Sequence, residues 1–322
     1  ERSVSEATFS FRGRRRSRVS MPTTFIHMTQ RSHLDAYLVE QAVRAGAEFR
    51  DGQTARSIDV ERGGVTVRVT EGMYQAETVI GADGANGITS RCLGLHPFSE
   101  TVPAIEGNIR RANSRSGEWE DHVALDFGPA GGYGWLFPKT DHVNVWVGGW
   151  GFTGTTIRAE LGRVARVCGL NPTELTAIQG HLIPLHNPAS VLSYGRALVV
   201  GDAAGMADPL SYEGIYGAVV SAKMAAMAVL RFLGGEGEDL SGYDRALDRT
   251  LLPELIAARR LRSILYRAPS PFVAAARMPI ARRYFAGLFR GEIKASDLPK
   301  KLGPLRHLLY RWADHEIARH ER

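Results

Sequence analysis

Residues 197–226 read ALVVGDAAGMADPLSYEGIYGAVVSAKMAA: an apolar run that ends in an acid, passes through small residues and a proline, and reaches an acid-glycine pair before a helical pattern. A buried strand ending in Gly201 and Asp202 sets the Asp202 carboxylate at the carboxyl edge of a sheet, where open α/β folds bind ligands. There the acid accepts hydrogen bonds from hydroxyl groups. Ala203, Ala204 and Gly205 keep the next turn slim, and Pro209 fixes a bend. Gly214, Ile215 and Tyr216 are expected to present free amides at a helix start, whose partial positive charge favours an electron-rich ligand edge. A polyol chain joined to a ring that gains negative charge on reduction meets all these demands, and that ligand is flavin.

A second stretch, GYGWLFPKTDHVNVWVG at 132–148, places Tyr133, Trp135 and Phe137 at alternate positions of a strand. They project from one face and wall an apolar slot suited to a prenyl chain, although alone they would read as an aromatic core face. Tyr133 and His142 are candidate proton donors, but each reads more readily as a packing or surface residue, so no side chain is nominated as a catalytic acid or base. GWGFTG at 149–154 is a literal G-x-G-x-x-G, with Glu174 downstream. The strand before it alternates His142, Val143, Asn144 and Val145, the mark of a half-exposed antiparallel strand, and Trp150 and Phe152 would crowd a pyrophosphate. It does not read as a dinucleotide site.

These residues must be carried by identifiable elements. Thr8–Phe11 and Arg18–Ser20 read as a hairpin with RGRRRS at its tip. Leu34, Tyr37, Leu38, Ala42 and Ala45 predict a helix with one buried face, stopped by Gly46. Thr54–Val60, Val65–Thr70 and Met73–Ile80 read as a meander whose last strand enters GADGANG. From 101 to about 192 the pattern is antiparallel, with one helix near Ile157–Cys168; the fully apolar ALVV then suits a parallel strand buried on both faces, and a long helix starts near Glu213. After GGEGE at 234–238 the chain reads as helices stopped by Pro253, Pro271, Pro279 and Pro304.

The 322 residues, 44% of them hydrophobic, support a globular chain with a real core. No apolar run is expected to span a membrane and no secretory leader is recognised, so a cytoplasmic location is expected. Cys92 and Cys168 are too few for a disulfide framework, and no metal site is expected. The formal charge of +6 is concentrated at the end: residues 251–322 carry 15 Lys or Arg against 6 Asp or Glu. LIAARRLRSILYRA and IARRYFAGLFRG mix arginines with apolar residues at helical spacing, compatible with peripheral membrane contact, though a solvated helix face is the plainer reading. No reading motif accompanies the charge, so nucleic acid is not an expected partner.

The loop after Val200 closely resembles the second flavin-binding motif of FAD-dependent oxidoreductases with the p-hydroxybenzoate hydroxylase type of fold, and especially of the geranylgeranyl reductase family. The resemblance implies that Gly201 and Asp202 contact the ribityl or ribose hydroxyls and that Pro209, Gly214 and Ile215 meet the flavin ring. VIGADGANG resembles the family's Asp-Gly motif and gives Asp83 and Gly84 a cofactor-side role. MTQRSHLDAYLVEQAVRAGAEF resembles its Arg-x-x-Phe/Leu-Asp helix, whose arginine, here Arg31, approaches the FAD diphosphate. The aromatic strand resembles the reductases' Tyr-x-Trp-x-Phe-Pro signature, implying that Tyr133, Trp135, Phe137 and Pro138 contact substrate. Departures are Trp146 where the pattern has glycine, Tyr212 where glycine is common, Gly87 for serine, and Ser90 for arginine. Nothing before Arg31 reads as the strand, G-x-G-x-x-G and helix that hold the ADP half of FAD, so the first βαβ unit is expected to be absent.

The fold expected is α/β (α+β overall). A Rossmann-like parallel sheet with a meander binds FAD (residues 27–100 and 193–235), an antiparallel domain binds substrate (1–26 and 101–192), and a basic helical region follows (236–322). The reaction implied is reduction of isoprenoid carbon-carbon double bonds, with NAD(P)H or another reductant as electron donor. The alternatives are a flavin-dependent monooxygenase of the same fold and a non-catalytic prenyl-lipid-binding protein.

Overall fold

The computed structural model describes residues 2–20, 24, 26–111, 122–128, 132–267, 274, 278–289, 291–297 and 305–320. It is of mixed α/β class, and it divides into two compact units. One comprises Glu1–Phe49, Pro103–His181 and Ile264–Lys294; the other comprises Arg50–Val102, Leu182–Ser263 and Ala295–Arg322.

The first unit is built on a seven-stranded sheet. Strand β1 (Arg2–Val4) pairs with β4 (Ile26–Met28), while β2 (Glu6–Phe11) and β3 (Arg14–Ser20) form the expected hairpin. Its turn is tighter than RGRRRS suggests, because Arg12 and Gly13 both adopt left-handed φ values, 50° and 71°, and return Arg14 to the ladder. With β9 (Phe98–Arg110), β10 (His122–Phe127), β11 (Gly132–Pro138), β12 (His142–Gly149) and β13 (Thr176–His186), the sheet order is β13-β9-β12-β11-β10-β2-β3. Strand β2 runs parallel to β10, with Phe9 beside Leu125, and β11 runs antiparallel to both its neighbours. Val143, Val145 and Val147 occupy alternate positions of β12 and join Ile157, Leu161 and Val164 of helix α3 (Gly154–Val167) in one core cluster. The GWGFTG stretch is therefore the link from an antiparallel strand to α3, whose amide end is closed by a Thr153–Thr156 capping box. DFGPAG at 126–131 also resembles the reductase family's Gly-Pro-Ala-Gly pattern, with Asp126 for the first glycine, and its Pro129, Ala130 and Gly131 lie outside the described residues.

The second unit holds the meander β5 (Ala55–Glu61), β6 (Gly64–Val69) and β7 (Gly72–Ala76). The third strand was expected to run on to Ile80, but the chain leaves the meander after Ala76. Strand β8 (Val79–Gly81) instead pairs in parallel with β15 (Ala197–Val199), which is antiparallel to β14 (Ser193–Tyr194). Ala197, Leu198 and Val199 have 0% exposure, as a strand covered on both faces requires. Burying a side chain such as Leu198, Leu240 or Leu247 contributes roughly 1.5–3 kcal/mol each to this core. Helices α2 (Thr89–Cys92), α4 (Ile215–Leu233), α5 (Gly242–Arg249) and α8 (Leu305–His320) lie in this unit with most of α6 (Leu252–Arg267), and α7 (Pro279–Phe289) lies in the first.

Several expectations are corrected. Helix α1 (Arg31–Arg44) forms, and Gly46 at φ 100° follows its end, but it contains no buried residue, and Tyr37 is 57% exposed. Periodicity marks the face a helix can bury, not the presence of a partner for it. Pro253 and Pro279 stand in the first turns of α6 and α7 rather than after helix ends, because a first-turn residue needs no amide donor. Pro271 and Pro304 lie outside the described residues. Helix α4 is long and apolar enough to cross a membrane by length and composition, with a mean hydropathy of 1.4, contrary to the expectation that no such run exists. Its Gly217, Ser221 and Ala225 are buried where it packs on the turn after β15, whereas Tyr216, Val219, Met227 and Leu230 are exposed. Arg259 and Arg262 of α6 are not displayed to solvent: both are buried and paired with Glu100, at 3.4 and 2.7 Å.

Candidate functional site

In the second unit, two parallel strand ends bring the acid-bearing loops together. Gly81 of β8 lies beside Val199 of β15, and the Val200 amide donates to the Gly81 carbonyl at 2.9 Å. Asp83 and Asp202 thus leave the same carboxyl edge of adjacent strands, as expected for a ligand site in this class of sheet. At Gly201 the backbone turns left-handed, φ 57°, and its amide is held by Ser221 Oγ of α4 at 3.0 Å. The following single turn, Gly201–Ala204, is buried except for Asp202, which is exposed. Gly214 stands at the cap of α4, and a Cβ there would approach Asp202 Oδ1 to 3.0 Å. A larger residue there would crowd the Asp202 carboxylate and make it shift by a few tenths of an ångström.

The residues present fit a hydroxylated chain with an electron-rich ring: Asp202 is exposed at the strand edge, and the space beside the Gly84 Cα is open. The expected free amides are not found. Glu213 accepts from the Ile215 amide at 2.5 Å and from the Tyr216 amide at 3.2 Å, so the chain's own carboxylate occupies the end of α4. Burial raises the Glu213 pKa against these amide bonds, and the Asp208 and Asp202 carboxylates raise it further. Pro209 is buried in the loop, whereas Ile215 is 38% exposed.

Asp83 caps α2. Its Oδ2 accepts from the Ile88 and Thr89 amides, at 2.6 and 2.9 Å, and from Thr89 Oγ1 at 3.0 Å. Gly87, a departure from the family pattern, is explained by this cap: a Cβ there would overlap the Asp83 carboxylate. Gly84 takes φ 73° in the same turn. Arg31 belongs to the first unit, at the start of α1, where it makes a two-pronged pair with Asp35 at 3.0 Å.

The aromatic strand also lies in the first unit. Trp135 stacks on Phe137 with ring centroids 5.0 Å apart, and Tyr133 meets Trp135 edge-on at 5.6 Å. Tyr133, Trp135 and Pro138 are buried and Phe137 half-buried. Trp146, directly across from Trp135 on β12, lies 5.8 Å from Tyr133, and its indole leans over Gly148, where a Cβ would collide with the ring. The Glu213–Gly214 pair stands out in the sequence, but no role is read there for Glu213, Ser221 or Gly217. An acid immediately before a helix-start glycine is a capping signal that could have found Glu213.

Residues 3–246 match the family described as FAD binding domain. The chain is 30% identical over 268 residues to a chloroplastic geranylgeranyl diphosphate reductase from Arabidopsis thaliana, covering 76% of this chain and 56% of that one. It is 27% identical to digeranylgeranylglycerophospholipid reductase 2 from Methanothermobacter thermautotrophicus, covering 74% of this chain and 65% of that one. The chain thus spans less than two thirds of the length of these relatives. Among solved structures, a geranylgeranyl bacteriochlorophyll reductase-like protein from Thermoplasma acidophilum shares the fold with a TM-score of 0.71 at 20% identity, covering 90% of this chain and 81% of that one.

Proposed function

Because the chain belongs to the FAD binding domain family, we propose that it is an FAD-dependent reductase acting on carbon-carbon double bonds of an isoprenoid. The observation that carries this reading is the pairing of β8 with β15, which sets the Asp83 and Asp202 loops side by side and leaves Asp202 exposed beside the cap of α4. The similarity to two reductases of geranylgeranyl compounds supports the substrate class. Asp202 holds the sugar-alcohol hydroxyls, with Gly201 turning the chain so that the acid faces them; Pro209, Gly214 and Ile215 border the ring, and Asp83 and Gly84 shape the loop beside them. Arg31 serves the diphosphate, and Tyr133, Trp135, Phe137 and Pro138 contact the isoprenoid. Bound FAD supplies hydride chemistry; the protein's part is to orient the alkene and exclude water. NAD(P)H is the proposed reductant. A cytoplasmic location is proposed, with peripheral contact to lipid-borne substrate through arginines of the C-terminal helices other than the buried Arg259 and Arg262.

The test is retention of flavin colour after desalting, followed by reaction with a geranylgeranyl substrate and NADPH or dithionite. The product should gain the mass of two hydrogens per bond reduced, and Asp202→Ala should lose the colour. Failure to retain any flavin from excess FAD would sink this reading.

A further inference from the structure

Glu213 is delivered to the end of α4 by a turn that is closed on itself. The Asp208 amide donates to the Glu213 carbonyl and the Tyr212 amide to the Asp208 carbonyl, both at 2.8 Å. Asp208 Oδ1 accepts from the Leu210 amide, the Ser211 amide and Ser211 Oγ at 2.7–3.0 Å. Between them Tyr212 adopts φ 57°, a left-handed conformation costing a non-glycine residue roughly 1–2 kcal/mol. The hydrogen bonds of the turn hold that shape, and its result is the Glu213 carboxylate on the Ile215 and Tyr216 amides.

These are two of the donors that the start of a helix leaves without backbone partners, and the helix dipole favours an anion there. They cannot serve Glu213 and a ligand edge together. Glu213 is an exposed residue whose carboxylate is partly desolvated against the end of α4, so the carboxylate regains water when it leaves. Asp202 and Asp208 disfavour its charge where it stands, consistent with its raised pKa.

We propose that Glu213 is a resident substitute for the electron-rich edge of the flavin, occupying the α4 amides until the cofactor displaces it and so setting the affinity for FAD. This rests on the function proposed above. Glu213 holds the loop in its bound shape and resists occupation of it. A residue lacking the carboxylate leaves the amides open to the ring.

The experiment measures FAD dissociation constants by flavin fluorescence for the wild type, Glu213→Ala, Glu213→Gln, Glu213→Asp and Asp202→Ala, with hydrogen exchange at the Ile215 and Tyr216 amides. Glu213→Ala should bind FAD about tenfold more tightly, a gain of about 1.4 kcal/mol, while melting at a lower temperature without FAD because the helix has lost its cap. Glu213→Gln should fall between. Glu213→Asp, too short to reach both amides, should also bind more tightly and serves if the alanine variant does not fold. In the wild type, FAD should alter protection of both amides. Unchanged or weaker binding by folded Glu213→Ala or Glu213→Asp, or amide protection indifferent to FAD, overturns the proposal. If FAD binds the wild type and Asp202→Ala weakens it, that failure touches Glu213 alone. If the wild type takes up no FAD, the functional reading fails and this proposal falls with it.

Discussion

Gly217 of α4 presses its bare Cα against the carbonyl oxygen of Met206, so closely that a Cβ would lie inside the oxygen's van der Waals shell. The contact seats the helix on the turn that carries Asp202. Since the obstructing atom belongs to the backbone, Gly217→Ala cannot be relieved by a rotamer change, and a cost of about 3 kcal/mol is expected. Denaturant unfolding should show a lower midpoint with an unchanged slope, and FAD retention should fall.

Asp202 tests the flavin loop directly. A hydrogen bond to a charged acceptor is worth about 1.5–3 kcal/mol, so Asp202→Ala should weaken FAD binding roughly 10- to 100-fold. Asp202→Asn, which keeps one acceptor oxygen but loses the charge and replaces the other oxygen with a donor, should lose less. Fluorescence titration distinguishes the two, and equal affinities for all three proteins would count against the loop as the sugar-alcohol site.

In the first unit Asp126, 1% exposed, accepts from Ser10 Oγ at 2.5 Å and the Gly13 amide at 2.7 Å, and pairs with Arg163 at 2.6 Å. It ties the β2–β3 hairpin to β10 and α3. Asp126→Leu leaves buried donors unmet, with an expected loss of about 3 kcal/mol. Asp126→Asn keeps an oxygen toward Ser10 and Gly13, and Arg163 keeps Glu160, so its loss should be smaller. Thermal melts of the pair measure the difference.

Stability should fall on the acid side through His186. The residue is buried, its Nδ1 lies 3.3 Å from the Ala204 carbonyl, and desolvation lowers its pKa below the usual 6.5. The unfolded chain takes up a proton near 6.5 while the folded chain resists it. The contribution is therefore complete above 6.5 and is lost as pH falls from there through the lowered folded value. His186→Leu should flatten unfolding free energy over that window.

Trp146 fills the space above Gly148 beside Tyr133. If this face meets the isoprenoid, Trp146→Ala should let longer chains react relative to shorter ones, while FAD affinity stays within about twofold, a change under roughly 0.5 kcal/mol. Competition between geranyl and geranylgeranyl substrates, read by product mass, provides the measurement.

Local physics was legible in the sequence. Alternation placed β11 at Gly132–Pro138 and β12 at His142–Gly149, and unbroken apolarity marked β15 as a strand covered on both faces. An acid after that strand, followed by small residues and a proline, pointed to flavin, and the family match agrees. Tertiary structure decided the pairings. Residues 79–81 desert the meander for a strand more than a hundred residues away, and the apolar face of α1 stays exposed. Glu213 takes amides that the sequence offered to a ligand. Spacing along a chain reports which face or donor a residue presents; what meets it depends on the path of the backbone between, here bent at Tyr212 and brought close at Gly217.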